Sequence, residues 1–191
     1  MIASVSTFWT RGIGFVSRRI RAVDWSLYHG RRYKAGINHV GLLFRFECGL
    51  ELASESHIGP GVQVVPWEHI LRARASGRVE WVTEYEHDLA PAQREEAWLR
   101  AEGATGIPYG VGSILKYWLS VRFTGRRWVP RAGRYEHRAK TCNVHWLSVM
   151  HPFFAGIEPE HGHLTPEAIY GYFHGSPSLL AYQAAKAAGD A

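Results

Sequence analysis

The chain has little cysteine or methionine, two of each among 191 residues, and no long uncharged apolar run. Two cysteines, Cys48 and Cys142, are too few for a disulfide framework and fit a reducing compartment, where either can serve as a working thiol. Charged residues interrupt every apolar stretch before the roughly 18 residues that a membrane span needs. No transmembrane segment is expected. The N-terminal run MIASVSTFWT is broken by Arg11, too early for a secretory h-region, so the protein is expected to be cytoplasmic or exported by a non-classical route. There are no internal repeats, no low-complexity segment and no long linker, and residues 1–191 read as one domain.

What is present is enough apolar and aromatic surface, 46% and 13% of residues, to build a sizeable core. The net charge of +5 is clustered. Lys116, Arg122, Arg126, Arg127, Arg131, Arg134, Arg138 and Lys140 stand in one stretch with Glu136 as the sole acid. Such a belt is either a solvated loop surface or a site that gathers an anionic polymer or lipid through Arg126, Arg127, Arg131, Arg134, Arg138 and Lys140. Nucleic acid is not expected, because no zinc-finger spacing or RNA-recognition signature accompanies the charge.

Local patterns predict strands early and helices late. Residues 1–37 read as a helical leader with an amphipathic helix near Phe15 to Tyr28, and residues 38–86 as mainly strands. Within that span, Asn38 to Ser56 forms a hairpin, Gly61 to Val65 a short strand and Trp67 to Ala75 a short helix. Arg78 to Glu86 alternates as a half-buried strand does. Residues 88–175 read as mainly helical, with a basic loop at 120–140. Pro91 opens one helix that ends before Gly106 and Pro108, Gly110 to Leu119 forms another, and Thr141 precedes a third that Pro152 stops. Thr165-Pro166-Glu167 starts the last one, Glu167 to Phe173. The fold class is α+β, a small antiparallel sheet or barrel packed against helices.

The hairpin carries the first chemical signal. In HVGLLFRF, Val40, Leu42, Phe44 and Phe46 share the core face, while His39, Gly41, Leu43 and Arg45 point the other way. A three-residue loop Glu47-Cys48-Gly49, with glycine in the left-handed conformation, pairs Phe44 with Leu52 and Phe46 with Leu50, which extends the apolar face. The same register pairs Arg45 with Glu51, Gly41 with Glu55 and His39 with His57. Glu55 then lies diagonal to His39, facing a glycine that leaves room for its approach, and is placed to orient the imidazole and raise its pKa. His57 is the competing orienter.

Cys142 supplies a nucleophile. At the start of a predicted helix, the dipole and unpaired N–H groups favour a thiolate and can hold an oxyanion. His145, three residues on, is either a supporting partner or a packing residue. Neither Cys142 with His145 nor Glu160 with His161 and His163 completes a zinc pattern, so no metal and no cofactor is expected.

Taken in order, NHVGLLF, ELASES with GPGVQVVP, GIPYGVGSILKYWL, KTCNVHWLSV and LTPEAIYGYF resemble the circularly permuted branch of the NlpC-like, papain-like cysteine hydrolases. The resemblance spans nearly the whole chain. It implies a papain-like domain with the cysteine at a helix N-terminus, a catalytic Cys142, His39 and Glu55, a supporting Tyr109, and cleavage of amide bonds such as those of peptidoglycan stem peptides. Where many relatives have a Tyr-Asp pair, this chain has Tyr109-Gly110. Lecithin retinol acyltransferase-like proteins share the His-first, Cys-last order, which makes acyl transfer or lipid deacylation the alternative activity. A non-catalytic binding module on the same fold is the third reading.

Overall fold

The structure is a computed structural model and describes residues 1–13, 37–112, 139–154 and 166–174. Its strands are β1 (Ile2–Gly12), β2 (His39–Phe46), β3 (Glu51–His57), β4 (Gly61–Pro66) and β5 (Val79–Glu86). They form one antiparallel sheet in the order β4-β3-β2-β1-β5. The described helices are α1 (Trp67–Ala75), α2 (Pro91–Gly103), α3 (Cys142–Met150) and α4 (Pro166–His174), with a 3-10 turn at His151–Phe153 after α3. The architecture is α+β, a small antiparallel sheet packed against helices.

The first strand corrects the reading of residues 1–37 as a helical leader. Ile2–Gly12 is extended and pairs on both sides, so that Phe8 lies opposite Gly41 of β2 and opposite Glu84 of β5. A strand covered on both faces loses the polar-out alternation by which strands are read from sequence. Here Val5, Thr7 and Trp9 point to one face and Ser6 and Phe8 to the other, and all five are buried. The helix expected at Phe15 to Tyr28 lies outside the described residues.

The β2–β3 hairpin has the register expected of it. Leu42 pairs with Ser54, Phe44 with Leu52 and Arg45 with Glu51. At the turn, the Gly49 N–H donates to the Phe46 carbonyl at 2.9 Å, and the Phe46 N–H to the Leu50 carbonyl at 2.9 Å. Gly49 has φ +83°, the left-handed conformation that a three-residue loop requires at its last position. Two expectations fail in detail. Leu50 is 48% exposed, because it belongs to the hairpin tip, past the reach of the helices. Leu43 faces away from the main core yet is fully buried, because α1 covers that face with Trp67 and Ile70 beside Phe8 and Ala53.

The main core lies on the opposite face, where Val5, Trp9, Val40, Leu42 and Phe44 meet Trp146, Val149 and Met150 of α3, Ala97 and Ala101 of α2 and Ile169 of α4. A buried polar chain ties these layers. The Trp146 indole N–H donates to Thr7 Oγ1 at 2.7 Å, and Thr7 Oγ1 is 2.6 Å from Nε2 of His87, just past β5. The Thr7 hydroxyl thus bridges the Trp146 indole and the His87 imidazole. Burial pushes the His87 pKa down to about 4.

The start of α3 is set from the other edge of the sheet. After α2 the chain runs past β4, where the Val62 N–H donates to the Ile107 carbonyl at 2.8 Å and the Gly106 N–H to the Val62 carbonyl at 2.9 Å. Tyr109 and Lys140 then form a short parallel bridge. Ser56 Oγ donates to the Lys140 carbonyl at 2.6 Å, so the residues entering α3 are held at the end of β3. Of the helix expected over Gly110 to Leu119, Gly110, Val111 and Gly112 fall within the described residues; Val111 and Gly112 are helical and Gly110 precedes them.

Candidate active site

His39 opens β2, and Glu55 lies on β3 on the same face, as the register requires. Nε2 of His39 is 2.9 Å from Oε2 of Glu55. Glu55 is buried, and its other oxygen accepts a hydrogen bond from Nε2 of Gln63 at 3.1 Å, directly across on β4. His57, two residues beyond Glu55 on the same face, brings its Nε2 to 3.3 Å from the same Oε2. The two imidazole rings lie 4.6 Å apart. His57 is the open side of the cluster, with half of its side chain exposed, while 11% of the His39 side chain and 2% of the Glu55 side chain reach solvent. A Cβ on Gly41 would overlap the Phe8 ring that walls the cluster, so this position requires glycine.

The charges in the cluster are divided unequally. Burial works to raise the Glu55 pKa, but the hydrogen bonds and positive charges of His39 and His57 hold it well below the usual carboxylate range. Glu55 is an anion at neutral pH. Because an ionised carboxylate only accepts, each facing imidazole presents Nε2–H to it, and the nitrogen of His39 left as a base is Nδ1. Burial, with the neighbouring His57 charge, lowers the His39 pKa below 6.5 against the raising effect of Glu55. The carboxylate raises it, as its place opposite Gly41 led one to expect, but in a site this dry desolvation outweighs the partner. His57 is less enclosed, and there the hydrogen bond and charge of Glu55 overcome desolvation and raise its pKa above 6.5.

Cys142 is buried at the start of α3 within the main core. Strand alternation sends His39, Glu55 and His57 to the face covered by α1, while α3 lies on the face of Val40 and Leu42. At the end of β3, Ser56 holds Lys140, two residues before Cys142, by its 2.6 Å hydrogen bond. Tyr109 is half-buried and close enough to feel the charge of Cys142. Burial and the charge of a Cys142 thiolate both push the Tyr109 pKa well up, so it stays a protonated donor.

The remaining sequence candidates separate by place. His145 is fully buried, its Nε2 2.9 Å from Oγ of Ser54, and it joins α3 to the sheet. Burial, with the Lys140 charge, pushes its pKa down to about 3. Lys140 is not part of an exposed basic belt: it is buried and its Nζ donates to Ser148 Oγ at 2.7 Å. Arg126, Arg127, Arg131, Arg134 and Arg138 lie outside the described residues, as do Glu160, His161 and His163. Cys48 is exposed in the hairpin turn. Gln63 was missed by sequence reasoning, although it is the lone polar residue of GVQVV and sits opposite Glu55 on the next strand.

No protein-family model matches the chain, and no curated protein matches it in sequence. Among the described residues, no helix is long and apolar enough to cross a membrane.

Proposed function

We propose that this protein is a thiol hydrolase of the papain-like, permuted NlpC-like kind, cleaving an amide bond through Cys142, His39 and Glu55. The observation that carries the reading is the buried His39–Glu55 hydrogen bond at 2.9 Å, which fixes one nitrogen of the imidazole and leaves Nδ1 as a base. A carboxylate that orients a base imidazole is the division of labour a cysteine or serine triad uses. The order of motifs along the chain supplies the second support.

In this reading Nδ1 takes the Sγ proton of Cys142 where β2 and α3 begin. The sulfur attacks the substrate carbonyl, and the imidazolium, stabilised by Glu55, gives its proton to the leaving amine. His39 then removes a proton from water, which attacks the thioester and frees the acid and the thiol. Tyr109, held protonated, is a donor for the carbonyl oxygen as it gains charge. Peptidoglycan stem peptides and other peptide or isopeptide links are the substrate class.

The test is incubation with purified peptidoglycan fragments, short peptides and phospholipid vesicles, read by mass spectrometry for products and for an acyl adduct on Cys142. Amide cleavage with an adduct on Cys142 supports the reading. Fatty-acid release through the same adduct makes the protein a lipid deacylase or acyltransferase instead. Turnover that survives Cys142→Ala ends both.

A further inference from the structure

We propose that His39, Glu55 and His57 form a binding site for one divalent transition-metal ion of the zinc class, held by the two imidazole Nε2 atoms and a Glu55 carboxylate oxygen. The ligand atoms of the three residues all lie within 4.8 Å of one another. Two of the separations are already 2.9 Å and 3.3 Å. Tetrahedral zinc with bonds of about 2.0–2.1 Å places its ligands about 3.4 Å apart. Small side-chain movements are therefore enough to admit the ion.

The donor set also matches. Two imidazoles and one carboxylate suit zinc, cobalt or nickel rather than calcium or magnesium, and leave one position for water. Gln63 holds the second oxygen of Glu55 and so aims Oε2 at the two histidines, the kind of outer support that metal-ligating carboxylates have. Entry is by the half-exposed His57. The chemistry of the exchange is simple. An ion at Nε2 takes the lone pair that the N–H bond held, and in each neutral imidazole the displaced proton moves through solvent to Nδ1.

For His39 that exchange matters, because Nδ1–H can no longer accept a proton. A filled site would switch off the base on which the thiol-hydrolase reading rests, whereas the metal site itself stands without that reading. The expectation drawn from sequence spacing was no metal, and it considered other histidines; this cluster arises from hairpin register, which spacing motifs do not encode.

The test is a titration of the full chain, freed of metal by chelation, with Co²⁺, followed by calorimetry and visible absorption. One ion per chain is expected, with the ligand-field bands of a low-coordinate nitrogen and oxygen site and no sulfur-to-cobalt charge-transfer band. His57→Gln, at an exposed position, should weaken binding at least tenfold while circular dichroism shows the fold intact, and Gln63→Ala should weaken it by a similar factor. Cys142→Ser should leave binding unchanged. In the zinc-loaded protein, nitrogen-15 spectra of the His39 ring should show the proton on Nδ1. The absence of saturable one-to-one binding, binding unmoved by His57→Gln, or binding abolished by Cys142→Ser would each overturn the proposal. Metal binding as expected together with an unreactive Cys142 would sink the thiol reading alone.

Discussion

Replacing Glu55 by glutamine keeps the size and one acceptor oxygen but removes the buried anion on which His39 leans. In the transition state the imidazole becomes cationic, with its Nε2 2.9 Å from Oε2. A hydrogen bond to a charged group is worth about 1.5–3 kcal/mol against about 1 kcal/mol for a neutral one, so its loss costs about 2 kcal/mol at the upper end of that range. Unit charges about 4 Å apart at an effective dielectric of about 20 set an upper bound near 4 kcal/mol. The variant should therefore lose roughly 30- to 1000-fold in kcat/KM. The pH profile adds a sign. Burial already holds the His39 pKa below 6.5, so His39 works as a neutral base and its protonation makes the acid limb. Removing a neighbouring anion lowers the pKa further and moves that limb to lower pH. The assay is kcat/KM from about pH 4 to 9 on a cleaved stem-peptide fragment, with chelator present and folding checked by circular dichroism. A variant with unchanged rate and limb, or one whose acid limb moved upward, would refute the reasoning.

Cys142→Ala should abolish turnover and leave the circular dichroism spectrum unchanged, whereas Cys48→Ala, in an exposed turn, should keep activity near wild type. Gly41→Ala forces a methyl group into the Phe8 ring and to 3.0 Å from the Ser54 carbonyl oxygen; it should cost about 1–3 kcal/mol, read as a lower urea midpoint, and an unchanged midpoint would contradict the packing. His87 binds fewer protons when folded than when unfolded between its folded pKa of about 4 and the ordinary 6.5. Stability should therefore fall as pH drops through that window, by about 3 kcal/mol from this residue. Urea unfolding at the two ends of the window should show that loss in wild type and a smaller one in His87→Gln.

Much of the sheet was legible because its devices are local. Gly49 marks the turn, the turn fixes the register, and the register brings Glu55 to His39 without knowledge of the rest of the chain. The helices α1 and α2 were equally readable from short apolar periods and from Pro91. What escaped depends on coverage from a distance. The strand β1 mixes Ser and Thr with Val, Phe and Trp on both faces, and it is a strand because β2 and β5 flank it and helices cover it above and below. Leu43 reads as outward until α1 is folded over it, and Lys140 reads as one more belt cation until Ser148 is brought to its ammonium group. At the candidate site the missing part was a third-strand contribution, Gln63 on β4, whereas His57, on the hairpin itself, was readable as a second partner of the carboxylate. The raising effect of Glu55 on His39 was readable for the same reason, but the net lowering was not, since pairing is visible in register and desolvation is not.

The central claim is that Cys142 is a nucleophile served by His39, and the most direct test compares the two cysteines within one protein. Cys48 is exposed and Cys142 buried, so access alone makes Cys48 the faster to alkylate. Site-resolved iodoacetamide labelling, followed by peptide mass spectrometry at neutral pH with chelator present, should show the reverse order in wild type. It should also show Cys142 falling below Cys48 in His39→Gln. Faster labelling of Cys48 in wild type, or a Cys142 rate that His39→Gln leaves unmoved, would contradict the account.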